Sequence, residues 1–329
     1  MSEAADLKRE LRKAGLSTPA IEAAWPEWWS EAAESSVSAR TELRLAVARN
    51  LGLSPKALVG EQVDFVWRDK ARFKHLGADT DFAVAALNSF GTSLAGALLQ
   101  SLDHGPGLVG LSAAELRHLL LAETDVVDLP GLVTVCWALG VPVVHLKVWP
   151  LRKKAMHAMV AGRGGRYAIL LARETSYLAA AAFTLAHEMG HIALGHVHSD
   201  ELLVDVEDPG ASRDDDEESE ADRFALELLM GDPDPDIRIN FDTFNHAMLA
   251  EAVMREGPQY GIDPGTMALA VAHRRDAWPV AMAAMRFIQP DAAPVSQLIN
   301  DVAKSQLDLS RLGSDNATFV ARTLGLDDG

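Results

Sequence analysis

The stretch from Leu178 to Leu194 carries His187-Glu188-Met189-Gly190-His191, an H-E-x-x-H pattern set in a run that otherwise reads as an apolar helix. Residues four apart lie one above the other on a helix face, so His187 and His191 can grip one ion together. Glu188 then projects beside that ion, where a carboxylate can take a proton from an activated water. Two free positions in a five-residue pattern leave room for coincidence, so a third ligand has to be found.

A zinc ion held by two histidines of a hydrolase usually takes a carboxylate as its third protein ligand and keeps one position open. Downstream, Ala221, Phe224, Ala225, Leu228 and Leu229 repeat at helical spacing, which predicts a second helix over Glu218–Met230. Glu218 and Asp222 share a face of that helix at i and i+4. Glu218 is therefore the preferred third ligand, and Asp222 is placed to accept a ring N–H from a ligand histidine. Glu220 is the rival ligand, on a different part of the helix surface. His196 and His198 read as polar residues at the end of the first helix, where a cation suits the dipole.

These elements together, His187-Glu-Met-Gly-His191 and Glu218-Ser-Glu-Ala-Asp222-Arg-Phe-Ala followed by Leu-Leu-Met, resemble the ImmA/IrrE family of bacterial metallo-endopeptidases. The resemblance covers about residues 110–235, including Gly140-Val-Pro-Val-Val-His-Leu and Tyr167-Ala-Ile-Leu-Leu-Ala-Arg-Glu ahead of the first helix. It implies a fold similar to zinc proteases with a glutamate third ligand. It further implies His187, His191 and Glu218 as ligands, Glu188 as general base and Asp222 as partner to a ligand histidine. The substrate it implies is a protein, in the best understood members a helix-turn-helix repressor. Two imidazoles and a carboxylate also accept Mn, Fe or Co in place of Zn.

Charge is distributed in a way that narrows the partners. The chain of 329 residues carries a formal net charge of −17, and between Asp200 and Asp222 twelve acidic residues face a single base, Arg213. Residues 1–80 are balanced, with twelve of each sign. Tight nonspecific binding to nucleic acid depends on Lys and Arg against phosphates, so this chain is a poor candidate for it. The acidic run either is a solvated loop leading into a helix N-terminus, where carboxylates suit the dipole, or forms a lip that attracts a basic substrate. The single cysteine, Cys136, lies in an apolar run and reads as a core residue in a reducing compartment. The N-terminus shows no apolar signal core, and Phe82–Leu102, the most membrane-like stretch, is broken by Asn88, Ser89, Gly91, Thr92 and Ser93. A buried helix pair there and a cytoplasmic protein are expected.

The resulting expectation is an α+β chain, predominantly helical. Residues 1–60 form a small helical domain, 61–107 a connector (Phe65–Asp69 and then the helix pair), 108–235 the metalloprotease domain and 236–329 a helical C-terminal domain. The segments Leu7–Ser17 and Leu43–Leu58 resemble the opening and closing helices of a repressor-type helix-turn-helix. The middle departs from that pattern, because Trp25-Pro-Glu-Trp-Trp-Ser-Glu-Ala-Ala-Glu34 offers tryptophans and carboxylates where base-reading side chains belong. A degenerate scaffold reused for protein contact and plain core packing of the tryptophans fit equally well.

In the central domain a capping box, Ser112 with Glu115, opens one helix. Another runs over Leu129–Leu139. Three strands follow, Val143–Trp149, Met156–Ala161 and Tyr167–Ala172, the last two joined by a turn at Gly162–Arg166. An edge strand beside the active helix would let an extended peptide add to the sheet. Gly231–Asp236 ends the second site helix, and breaks at Gly257-Pro258, Asp263-Pro264 and Gln289-Pro290 punctuate a helical remainder. Tyr177, His157 and His145 are candidate oxyanion donors, while His246 and His273 read as surface or packing residues.

Three functions follow from this pattern. The first is a zinc endopeptidase acting on a regulatory protein. The second is a regulator that keeps the metal site but acts by binding. The third, disfavoured by the acidic charge, is a DNA-binding factor with a vestigial protease domain.

Overall fold

The computed structural model describes residues 2–54, 71–73, 81–151, 156–198, 202–206, 216–237, 244–291 and 294–327. The expectations for Pro55–Leu58, for Phe65–Asp69 and for the middle of the acidic run, 207–215, lie outside the described residues. The chain is α+β and mostly helical.

At the centre is a mixed sheet of strands β1 (Ala71–Phe73), β2 (Val143–His145), β3 (Met156–Arg163), β4 (Arg166–Leu171) and β5 (Leu202–Val206), in the order β1-β5-β3-β4-β2. The hairpin β3–β4 is antiparallel and closes on Gly164 and Gly165 at φ 58° and 76°, the two consecutive left-handed positions a tight primed turn requires. β5 pairs antiparallel with the other side of β3, while β1 and β2 add parallel at the two margins.

Both faces of the sheet are covered, which explains why its strands read as almost continuous apolar runs. Alternate residues divide between two cores. Met159, Ala161, Ala168 and Leu170 pack on one side against helix α4 (Asp81–Gln100), with α1 (Glu3–Lys13), α2 (Thr18–Ala23) and α3 (Val37–Leu51) in the same core. Ala158, Val160, Ile169 and Leu171 pack on the other side with α6 (Leu129–Ala138), α7 (Leu178–Ala193) and α8 (Asp216–Met230). Helix α5 (Ala113–Leu121) opens on the expected box, Ser112 Oγ accepting from the Glu115 N–H and Glu115 accepting from the Ser112 N–H.

Five elements depart from expectation, each for a physical reason. The sheet has five strands among the described residues, not three, because β1 and β5 are short and sit beside polar residues that hide their alternation. As a result β3 is paired on both sides and offers no free edge for an added peptide. The strand expected over Val143–Trp149 stops at His145, because the N–H groups of Lys147 and Val148 turn away to the carbonyl of Thr323. The helix pair expected over Phe82–Leu102 is one helix, α4. A Cβ on Gly91 would stand 2.5 Å from the Met159 sulfur, so this glycine marks close approach to the sheet and not a break. Finally, no recognition helix runs through Trp25–Glu34: α2 ends at Ala23, Pro26 withholds an N–H, and a 3-10 turn spans Glu31–Ser35. The Trp25 and Trp29 rings stack edge-to-face on each other at 6.5 Å and pack against the adjoining core, while Trp28 remains partly exposed.

The C-terminal region props the site from behind. Helices α9 (His246–Glu256), α10 (Pro264–Arg275) and α11 (Trp278–Ile288) form a third small core that includes Ala179 at the start of α7. From α12 (Val295–Gln306), Asn300 accepts from the His145 N–H and donates to the His145 carbonyl, each at 2.8 Å, and donates also to Leu324 at the end of α13 (Ser314–Leu324). Cys136 is fully buried, and burial pushes its thiol well above the usual range, in keeping with a packing role.

Candidate metal centre

Helix α7 has no side-chain cap of its own. Its first N–H groups face the C-terminal region, where Gln289 accepts from the Leu178 N–H at 3.1 Å and donates to the Ser176 carbonyl at 3.2 Å. Apolar residues on both sides of α7 bury it between the sheet and α8, and take His187, Glu188 and His191 inside with it. Gly190 lets α8 come close: a Cβ there would meet the Cα of Ala221 and the side chain of Phe224, all at 3.2 Å. The glycine inside the five-residue pattern thus serves the approach of Glu218.

Across this contact Glu218 reaches both imidazoles. Its Oε2 lies 3.3 Å from His187 Nε2 and its Oε1 3.2 Å from His191 Nε2, while the two Nε2 atoms are 3.0 Å apart. These three residues form a group whose ligand atoms all lie within 4.8 Å of one another. Behind His187, Asp222 Oδ1 accepts from Nδ1 at 2.9 Å. When the ring is neutral, this bond leaves Nε2 as the lone-pair nitrogen directed at the centre.

Glu188 is 1% exposed and adds a buried carboxylate to the partly buried Glu218 in the surroundings of His187. Burial alone would lower the pKa of His187. Hydrogen bonds to Asp222 and Glu218 and the charges of Glu188 and Glu218 outweigh it and raise the imidazole to about 10. Such a concentration of carboxylates around two inward imidazoles suits a divalent cation, whose charge would offset theirs. Phe183, one turn before His187, lies with its ring 6.5 Å from that imidazole and is partly exposed.

Of two neighbouring residues, one follows its sequence reading and one departs from it. Glu220 stays out of the ligand group, and His196 is not a polar end of α7 but a buried side chain bonded to both His191 and Glu220. His198 is exposed as expected. The signal for His196 was the spacing His191-Ile-Ala-Leu-Gly195-His196, in which Gly195 at φ 78° closes α7 and turns the next residue back. Of the oxyanion candidates, His145 and His157 bond to Arg173, and Tyr177 packs against the C-terminal core; the geometry assigns none of them to the reacting centre.

A family model described as Peptidase U49 matches residues 164–276, a stretch that begins in the β3–β4 turn, includes both site helices and ends after α10. The match supports a peptidase. No curated protein and no solved structure matches the chain. Among the described residues no helix is long and apolar enough to cross a membrane.

Proposed function

We propose that the chain is a zinc-dependent endopeptidase of the ImmA/IrrE kind that cleaves a regulatory protein such as a helix-turn-helix repressor. The observation that carries the metallo-endopeptidase reading is the convergence of His187 Nε2, His191 Nε2 and Glu218 on one point, with Glu188 buried beside it. The Peptidase U49 match over the same helices supports the peptide bond as the target. The acidic stretch before Asp222 favours a basic protein as substrate.

His187, His191 and Glu218 would hold the ion, leaving one position open. When bound, a zinc ion supplies a Lewis acid that polarises the scissile carbonyl and makes water a stronger acid near neutral pH. Glu188 takes a proton from the attacking water as the new C–O bond forms, and hands it to the amine nitrogen as the C–N bond breaks. Asp222 keeps the His187 ring fixed throughout.

The test is Glu188→Gln. The variant should bind one equivalent of zinc like the parent and lose cleavage of repressor-like proteins from the same genome. Chelator-sensitive fragments should appear with the parent alone. Full cleavage by the variant would overturn the role of Glu188, and absence of bound metal in the parent would overturn the site.

A further inference from the structure

The two ligand histidines are held from behind by different means. Asp222 reaches His187 directly, whereas at Nδ1 of His191 the neighbour is another imidazole. That nitrogen lies 3.0 Å from Nδ1 of His196, and His196 Nε2 lies 3.0 Å from Glu220 Oε2. His196 is 7% exposed, and its imidazole is not among the ligand group.

The backbone enforces this placement. Gly195 donates to the Ile192 carbonyl at 3.1 Å and His196 to the His191 carbonyl at 2.9 Å, with Gly195 in the left-handed region. This is the paired helix-ending motif that folds the residue after the glycine over the last turn. It sets the His196 ring against the ring of His191, with centroids 5.2 Å apart.

Hydrogen-bond chemistry then leaves one consistent arrangement. A histidine that offers Nε2 to a metal is neutral and carries its proton on Nδ1, so His191 donates there. His196 Nδ1 must accept, which puts the His196 proton on Nε2, and that N–H donates to Glu220. We propose that His196, oriented by Glu220, is a positioning residue for the metal centre, fixing the ring and tautomer of His191 as Asp222 does for His187. The proposal rests on the metal-binding reading given above. Within it, the helix presenting Glu218 supplies all three carboxylates of the site's frame: Glu218 to the ion, Glu220 to one histidine through His196, and Asp222 to the other.

The experiment is a competitive zinc titration of the full-length chain and of His196→Ala, His196→Asn and Glu220→Ala. Cobalt(II) absorption of each and thermal unfolding in excess chelator accompany it. Loss of an outer hydrogen-bond partner typically weakens metal affinity by roughly 10–100-fold, and that is expected of His196→Ala. His196→Asn should recover most of the affinity and the parent cobalt spectrum, because the Asn Oδ1 stands where Nδ1 accepted. Glu220→Ala should fall between the parent and His196→Ala. Zinc binding by His196→Ala within twofold of the parent would overturn the proposal. So would equal loss in the Ala and Asn variants that follows their chelated unfolding midpoints, which is the mark of packing alone. A parent that fails to bind one equivalent of zinc would instead overturn the metal-centre reading itself.

Discussion

Helices α4 and α7 lie on opposite faces of one sheet, and both carry glycine where a helix gains nothing from it. In α4, Gly91 faces Met159 and Leu202 of the sheet, and among the described residues that helix gives nothing to the candidate metal group. In α7, Gly190 faces Ala221 and Phe224 of another helix, and the residues on either side of it are Met189 and His191, a member of the candidate metal group. The two glycines do the same mechanical work and differ in what the close approach delivers. On one side it seats a structural layer, and on the other it brings Glu218 to within 3.3 Å of two imidazoles.

The largest effect should come from the centre itself. Glu218→Ala removes the only contribution of α8 to the ligand group, and the variant should no longer retain stoichiometric zinc through gel filtration while its helical content stays at the parent level. Retained zinc would shift the third ligand to another residue. Gly91→Ala comes next and strikes stability. Its Cβ would stand 2.5 Å from the Met159 sulfur and 3.0 Å from Leu202, side-chain ends in a filled core; overpacking of about 1–3 kcal/mol, less the roughly 1 kcal/mol of helix propensity that alanine returns, leaves a net loss of up to about 2 kcal/mol. Zinc affinity measured at a temperature where the variant is folded should not change.

Gly190→Ala should show the reverse pattern, and thereby sharpens the contrast. The neighbours stand at 3.2 Å and include backbone, so α8 must move by a few tenths of an ångström. Replacing a helix-interior glycine with alanine returns roughly 1 kcal/mol of helix propensity, which offsets much of the strain. The expected outcome is an unfolding midpoint close to the parent with measurably weaker zinc binding, as Glu218 and Asp222 are carried away from the histidines. If both glycine variants lose stability and keep zinc alike, the two helices are equivalent supports and the distinction fails.

The contrast also shows what was legible in the sequence. The i and i+4 pairs, His187 with His191 and Glu218 with Asp222, and the α8 periodicity are local regularities, and α7, α8 and the β3–β4 hairpin lie where those regularities put them. What was hidden is set by contacts distant in sequence. Gly91 reads as a break until Met159 is known to lie against it. β5 is five residues inside an acidic stretch, and its pairing with β3 and β1 is what makes it a strand. His196 looked like a helix-end cation because its partners, His191 and Glu220, meet only after Gly195 folds the chain back. The repressor-like reading of residues 7–58 leaned on helical spacing in α1 and α3, and spacing alone does not say whether Trp25–Glu34 continues as a helix.

The smallest expected effect tests the C-terminal support of α7. Asp263 caps α10, accepting from the Thr266 N–H at 2.8 Å, and the next-but-one residue, Gly265, sits where a Cβ would touch Ala179 of α7 at 3.0 Å. Burial raises the Asp263 pKa; the Thr266 and Gly265 bonds oppose it, and the charge of Asp128 adds to it. A carboxyl whose folded pKa lies above its unfolded value binds its proton more tightly in the folded state. Stability therefore falls as pH rises from about 3.9, the unfolded value, through the folded value, and the loss is constant above that. Asn caps a helix about as well as Asp and carries no charge to bury. Asp263→Asn should then raise the unfolding midpoint at pH 7 by roughly 1–2 °C, with the gain shrinking as the pH is lowered toward 4. A lower midpoint at pH 7 would mean that the ionised cap is worth more to α10 than its burial costs, and the zinc affinity of that variant would show whether the start of α7 feels the difference.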